Sequence, residues 1–186
     1  NTATPVNIDA GEVALAVGGD VILDRATGDV NLVNQVTAAG ETVTSTGAGG
    51  DLRVQAQNGN IRLNTDLTSG GETALVSGTN LTVNAQTLPN SVFLNGNLNA
   101  PQSLVVVSSG DVIYQSGTLT SPNIGIGAAG SIGTTTEPVQ IQTDNLALNP
   151  AGGQVNDPDG FTTVNSVSAA GATVNQGTTN TNDNGG

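Results

Sequence analysis

The stretch from Leu67 to Ala85, LTSGGETALVSGTNLTVNA, returns along the chain in near-copies, and no other feature constrains the fold so strongly. Ile8 opens IDAGEVALAVGGDVILDRA, Val36 opens VTAAGETVTSTGAGGDLRVQA, Leu98 opens LNAPQSLVVVSSGDVIYQS and Leu119 opens LTSPNIGIGAAGSIGTTT. The five openings stand 28, 31, 31 and 21 residues apart. A period in that range marks a solenoid, in which one repeat is one coil and buries its apolar side only by stacking on its neighbours.

Within each repeat the segments are short, alternate between apolar and polar residues, and favour β-branched side chains, which predicts strands. Gly, Asn and Pro between them supply the turns. No segment carries a helical apolar period, and Gly recurs too often for helices. The strands align in columns. One holds DVIL at 20–23, DLRV at 51–54, NLTV at 80–83, DVIY at 111–114 and SIGT at 131–134, each preceded by Gly or, once, by Thr79. A second holds DVNL at 29–32, NIRL at 60–63 and SVFL at 91–94, with VQIQ at 139–142 as a later member. A third holds VAL at 13–15, TVT at 42–44, TAL at 73–75 and LVV at 104–106.

The interior must be narrow, because aromatic residues make up 2% of the chain and Trp and Met are missing, while Gly numbers 26. Strands repeated in register with no crossover helices then predict an all-β chain, a right-handed parallel β-helix of about six to seven coils. Coils start near residues 8, 36, 67, 98, 119 and 146. At about 4.8 Å per coil the rod is on the order of 30 Å long. The coil from Leu98 is expected to lack a strand that its neighbours carry. Residues 1–7 read as an N-terminal arm and 8–174 as the repeats, with a last coil through Phe161 and Val164 to Val174. Residues 175–186, NQGTTNTNDNGG, read as a polar tail or linker.

Charge and composition exclude several kinds of chemistry. Fifteen acidic residues face three arginines, Arg25, Arg53 and Arg62, for a net charge of -12. That balance repels phosphate backbones and anionic lipid, so nucleic-acid and membrane-surface partners are not expected. No apolar run approaches the roughly 20 residues of a spanning helix, so no membrane insertion is expected. No basic-then-apolar leader opens the sequence, which fits a processed chain or a segment of a longer one. The absence of Cys and His removes disulfides, thiol chemistry, and both Ser/His/Asp and Cys/His catalysis.

GIGAAG at 125–130 matches the dinucleotide fingerprint, but SIGTTTEP follows and cannot sustain the helix that a pyrophosphate needs, so a turn between strands is expected. NTD at 64–66 resembles one motif of β-helical pectin hydrolases. The His and basic cluster that accompany it there are missing, and the nearest acidic pair is Asp157 and Asp159 in a Pro-containing turn. Hydrolysis of a glycosidic bond needs two carboxylates facing one another across it. No enzyme is expected.

The candidate site is the acidic ladder of Asp20 and Asp51, which the columns place on adjacent coils. Near 5 Å apart, two carboxylates repel by roughly 3 kcal/mol before screening, at an effective dielectric near 20. Two arrangements relieve this. The side chains cap backbone N–H groups at the turns, or they hold a cation such as calcium.

GDLRVQA at 50–56, TNLTVNA at 79–85, and GSIG at 130–133 followed by NLAL at 145–148 resemble the repeats of filamentous-haemagglutinin-like bacterial exoproteins. The resemblance spans roughly 8–174. It implies a secreted or cell-surface protein with a non-enzymatic, adhesive or filament-forming role, of the kind exported by two-partner secretion. The family's amino-terminal secretion domain is not evident. The expected partners are a host or cell-surface receptor, and either further coils of the same polypeptide or another subunit stacked end to end. A cation-stabilised surface-layer or matrix module, and a carbohydrate-binding or carbohydrate-active β-helix, are the rival readings.

Overall fold

Strands in this chain pair almost entirely with strands 17 to 31 residues away and run parallel to them. The computed structural model describes residues 5–78, 90–177 and 182–183, and among these there is no helix. The chain is a parallel β-helix with three faces. The first face is an eight-stranded sheet. Its strands are Val6–Asn7, Val21–Arg25, Leu52–Ala56, Thr73–Ser77, Leu104–Ser108, Asn123–Ala128, Asn145–Asn149 and Thr162–Thr163. The second face runs through Glu12–Val13, Val30–Val33, Ile61–Asn64, Val92–Asn95, Val112–Ser116, Ser131–Ile132 and Gly152–Asn156. The third consists of Ala16–Val17, Gly47–Ala48, Leu67–Ser69, Leu98–Asn99, Leu119–Thr120 and Val139–Gln142.

Alternation within each strand sends every second side chain inward, and parallel register stacks like on like. On the first face Leu23, Val54, Leu75, Val106, Ile126 and Leu148 form one such column. On the second face Leu32, Leu63 and Leu94 form another. Leu67, Leu98, Leu119 and Ile141 line the third. All of these are buried in one continuous cluster, which is the narrow aliphatic interior that so few aromatic residues allow.

The coil boundaries differ from the repeat boundaries. Leu15 aligns with Thr46, and Thr46 with Leu67, so Val36 does not begin a coil. It lies in an antiparallel hairpin, Gln35–Ala38 with Glu41–Thr44, inserted between the second and third faces. The coil from Leu98 to Leu119 is complete, with a strand on every face, and does not lack one. It is the basic coil, and the longer ones carry insertions. The columns also mix faces. DVIL and DLRV lie on the first face, but DVIY and SIGT lie on the second, beside SVFL. VQIQ at 139–142 belongs to the third face, and TAL at 73–75 pairs with DLRV on the first. The NLTV member at 80–83, with its Asn80, lies outside the described residues.

After the first-face strand Thr162–Thr163 the described residues form no complete further coil. Ser166–Ala169 and Ala172–Asn175 form a second hairpin, folded onto the outside of the first face. Val167, Ala169 and Val174 pack there against Val105, Val107 and Ala147. Gly125 is the flat spot beneath, since a Cβ on it would stand 3.1 Å from the Cβ atoms of both Val167 and Val174. The hairpin tip is gripped from both sides: Arg53 Nη1 donates to Ala170 O at 2.9 Å, and Ala170 N–H donates to Glu72 Oε2 at 2.6 Å. The segment expected as a linker also contributes, because Asn182–Asp183 pairs in parallel with Gln154–Val155.

The inward and outward sides of a strand should therefore respond very differently to charge. In urea denaturation Leu63→Asp is expected to lose several kcal/mol by burying an unpaired carboxylate, whereas Asn64→Asp, on the exposed neighbour, loses less than about 0.5 kcal/mol. Comparable losses at both positions would mean that the assigned faces are wrong.

Candidate functional site

The Asp20 and Asp51 side chains meet backbone. Asp20 Oδ1 accepts from Asp51 N–H at 3.0 Å, and Asp51 Oδ1 accepts from Glu72 N–H at 2.8 Å. Each carboxylate thus caps the residue that leads into the matching first-face strand one coil further on. The Gly before each of these residues has a steric cause, because a Cβ on Gly50 or Gly71 would overlap Oδ1 of Asp20 or Asp51.

The same device operates at the other two corners. Before the second face, Asp29 Oδ1 accepts from Asn60 N–H at 2.8 Å, and Asn60 Oδ1 accepts from Ser91 N–H at 2.8 Å. Ser91 Oγ then accepts from Asp111 N–H at 3.3 Å, and Asp111 Oδ1 from Ser131 N–H at 2.7 Å. Before the third face, Asp66 Oδ1 accepts from Asn97 N–H at 2.7 Å, and Asn97 Oδ1 from Thr118 N–H at 2.9 Å. The motif at 64–66 therefore ends in a cap. The ladders before the second and third faces were only partly visible in the sequence, in the column of Asp29, Asn60 and Ser91. Neutral Asn and Ser between the carboxylates keep like charges apart along them.

The remaining motifs fall into structural roles. Residues 125–128 of the Gly-rich stretch lie within a first-face strand rather than in a turn, and the strand Ser131–Ile132 follows, with no helix. Asp157 is fully buried and accepts from Thr143 N–H at 3.0 Å and from Asp159 N–H at 3.2 Å, which fastens the turn around Pro158. Arg62 stacks on the Phe93 ring at 3.9 Å and stands 3.7 Å from Asp29 on the outside of the second face. That ion pair is more than one third exposed at both ends, so it contributes little.

The surface also carries grooves, among them these two. One, of about 380 Å³, lies where the third face turns into the first and is lined by Asn99, Thr120, Gln142, Asp144 and Asp159 among others. The other, of about 260 Å³, lies beside Tyr114, Thr134 and Glu137. Among the described residues no three or more Asp or Glu converge as a metal site would require. Comparison with protein-family models, curated proteins and solved structures returns no match.

Capping engages Oδ1 of both carboxylates of the candidate site. Asp51→Ala is expected to lose about 1 kcal/mol of stability, and Asp51→Asn, which keeps an acceptor oxygen, distinctly less. Millimolar calcium should leave the wild-type melting temperature unchanged. A calcium-induced rise that disappears in Asp51→Asn would replace the cap with a cation site.

Proposed function

We propose that this chain is a non-enzymatic structural rod of a bacterial extracellular protein, a stalk segment or subunit of a surface adhesin or filament. The observation that supports it is the use made of the polar side chains at the corners. At all three they hold one coil to the next, and the aliphatic columns run through the coils without a break for a catalytic constellation. A stiff rod with a repetitive surface suits the presentation of a receptor-binding region away from a cell. The resemblance of GDLRVQA at 50–56 and GSIG at 130–133 to filamentous-haemagglutinin-like repeats points to the same role, outside the cell and exported by two-partner secretion.

A second reading rests on the groove beside Asp144 and Asp159. Its hydroxyl, amide and carboxylate lining suits hydrogen bonding to a sugar, as a carbohydrate-binding module would need.

Pulling the chain from its two ends in an optical trap separates a rod from a domain whose function is chemistry. A rod stabilised coil by coil should lengthen in steps of roughly 70 and 105 Å, the extended lengths of coils of 21 and 31 residues. It should also release no reducing ends from a panel of polysaccharides. Polysaccharide turnover that Asp144→Asn abolishes would overturn the structural assignment. Oligosaccharide binding without turnover, lost in the same variant, would favour the second reading.

A further inference from the structure

The groove of about 380 Å³ where the third face turns into the first lies toward the back of the rod, on its later coils. Asn99, Thr120 and Gln142 line it from the outward side of the third face, each aligned with the next. They make a ladder of amide, hydroxyl and amide along the rod axis, with a rung about every 4.8 Å. Their side chains take no part in the corner bonds, which engage Asp66 and Asn97 two residues earlier. Pro101 and Pro122 are exposed and stand three residues after the aligned Leu98 and Leu119, so two pyrrolidine rings on adjacent coils line the same groove. Asp144 follows on the third coil. Asp159 completes that end, held there because buried Asp157 accepts from both Asp159 N–H and Thr143 N–H.

One hydroxyl in this wall has no partner. Ala100, Ser121 and Thr143 occupy the buried position after each rung. Thr143 Oγ1 reaches Pro122 O at 3.2 Å and Asn145 O at 3.0 Å. Ser121 also lines the groove and is 2% exposed, yet its Oγ bonds to nothing. Buried hydroxyls in folded proteins ordinarily have partners, and an exception asks for one from outside the chain.

We propose, resting on the carbohydrate-binding reading above, that this groove takes a neutral, extended oligosaccharide lying along the rod axis, one sugar ring to each coil. The period selects the class of ligand. A pyranose unit in an extended β-linked chain advances by close to one coil spacing, so every ring meets the same kind of rung. An extended peptide repeats a side only every two residues, about 6.6 Å, and is out of step at the second rung. Asn, Thr and Gln offer donors and acceptors to ring hydroxyls, and the proline rings meet the apolar faces of the sugar. Charge narrows the class further. Asp144 and Asp159 accept from hydroxyls, and among the described residues no Arg lines the groove, so uronic acids and sulfated sugars are repelled.

The probes are glucose, cellobiose, cellotriose and cellotetraose, with mannotriose and trigalacturonate beside them, in titration calorimetry and NMR of the isotope-labelled chain. Affinity is expected to climb with each ring to cellotriose or mannotriose, to level off at cellotetraose, and to be absent for trigalacturonate. The bound trisaccharide should shift the side-chain amides of Asn99 and Gln142 together. Thr120→Val should weaken trisaccharide binding about ten-fold. Ser121→Ala should weaken it about three-fold or more without lowering the melting temperature, because the hydroxyl it removes has no partner in the protein. Neutral sugars that bind with no gain from ring to ring, or shifts confined to one coil, overturn the axial arrangement and leave the carbohydrate-binding reading standing. Preference for trigalacturonate overturns the charge selection. Ser121→Ala with a lowered melting temperature and full affinity overturns the hydroxyl as a contact. No binding of any probe overturns the proposal and the carbohydrate-binding reading together.

Discussion

Everything in this rod depends on one contact repeated at its corners: a side-chain oxygen of one coil accepting the backbone N–H of the matching residue in the next. Sheet hydrogen bonds alone hold neighbouring strands together, yet a parallel ladder of similar strands tolerates slippage. A slip of one residue would turn every core side chain outward. The corner bond prevents that, because Asp20 reaches Asp51 N–H only in a single register. It also satisfies a donor at the turn that would otherwise be left without a partner at a cost of about 1–3 kcal/mol. The Gly before Asp51, Glu72 and Ser131 follows from the same contact, since Oδ1 of Asp20, Asp51 or Asp111 takes the space a Cβ would need.

With the corners fixed, coil length becomes free. The basic coil needs about 21 residues, and the 31-residue coils contain the same three strands plus an insertion at one corner. The insertion at 34–45 does not disturb the coil around it because Ser45 closes it off, accepting from Leu15 N–H and donating to Val33 O. The first face, in turn, is shaped for what covers it. Its outward column passes from Arg53 through Ala74 and Val105 to Gly125 and Ala147, polar where water reaches and small or aliphatic where the hairpin lies.

The strands, the parallel β-helix and the capping role of Asp20 and Asp51 were legible because each rests on local pattern: alternation, the Gly–Asp pair, the absence of helical periodicity. Face assignment was not. DVIL at 20–23 and DVIY at 111–114 look alike because every face asks the same of a strand, an aliphatic residue inward and an acceptor at the preceding turn. Only the count of residues between them tells the faces apart, and insertions at different corners corrupt that count. The hairpin at 35–44 escaped notice for a related reason. VTAAGETVT alternates like a coil strand, and its antiparallel partner is its own continuation rather than a strand in the next coil. The grooves beside Asp144 and Tyr114 had no signal in the sequence, since residues from three or more coils or turns meet there.

The paired hairpins show how one local sequence takes two fates. An Ala–Gly turn between strands bearing Val36, Ala38 and Val43 on one side makes an amphipathic flap, whichever corner it grows from. At the back, the flap has Val105, Val107 and Ala147 beneath it, and Arg53 and Glu72 to hold both polar groups of Ala170 at its tip. At the front, the flap grows from the corner between the second and third faces and touches Glu12–Val13, the first strand of the second face. The difference lies in the corner and not in the hairpin. A solenoid whose coils accept insertions at any corner can therefore cover the outside of a face with the same element that, grown from another corner, keeps its Val43 exposed.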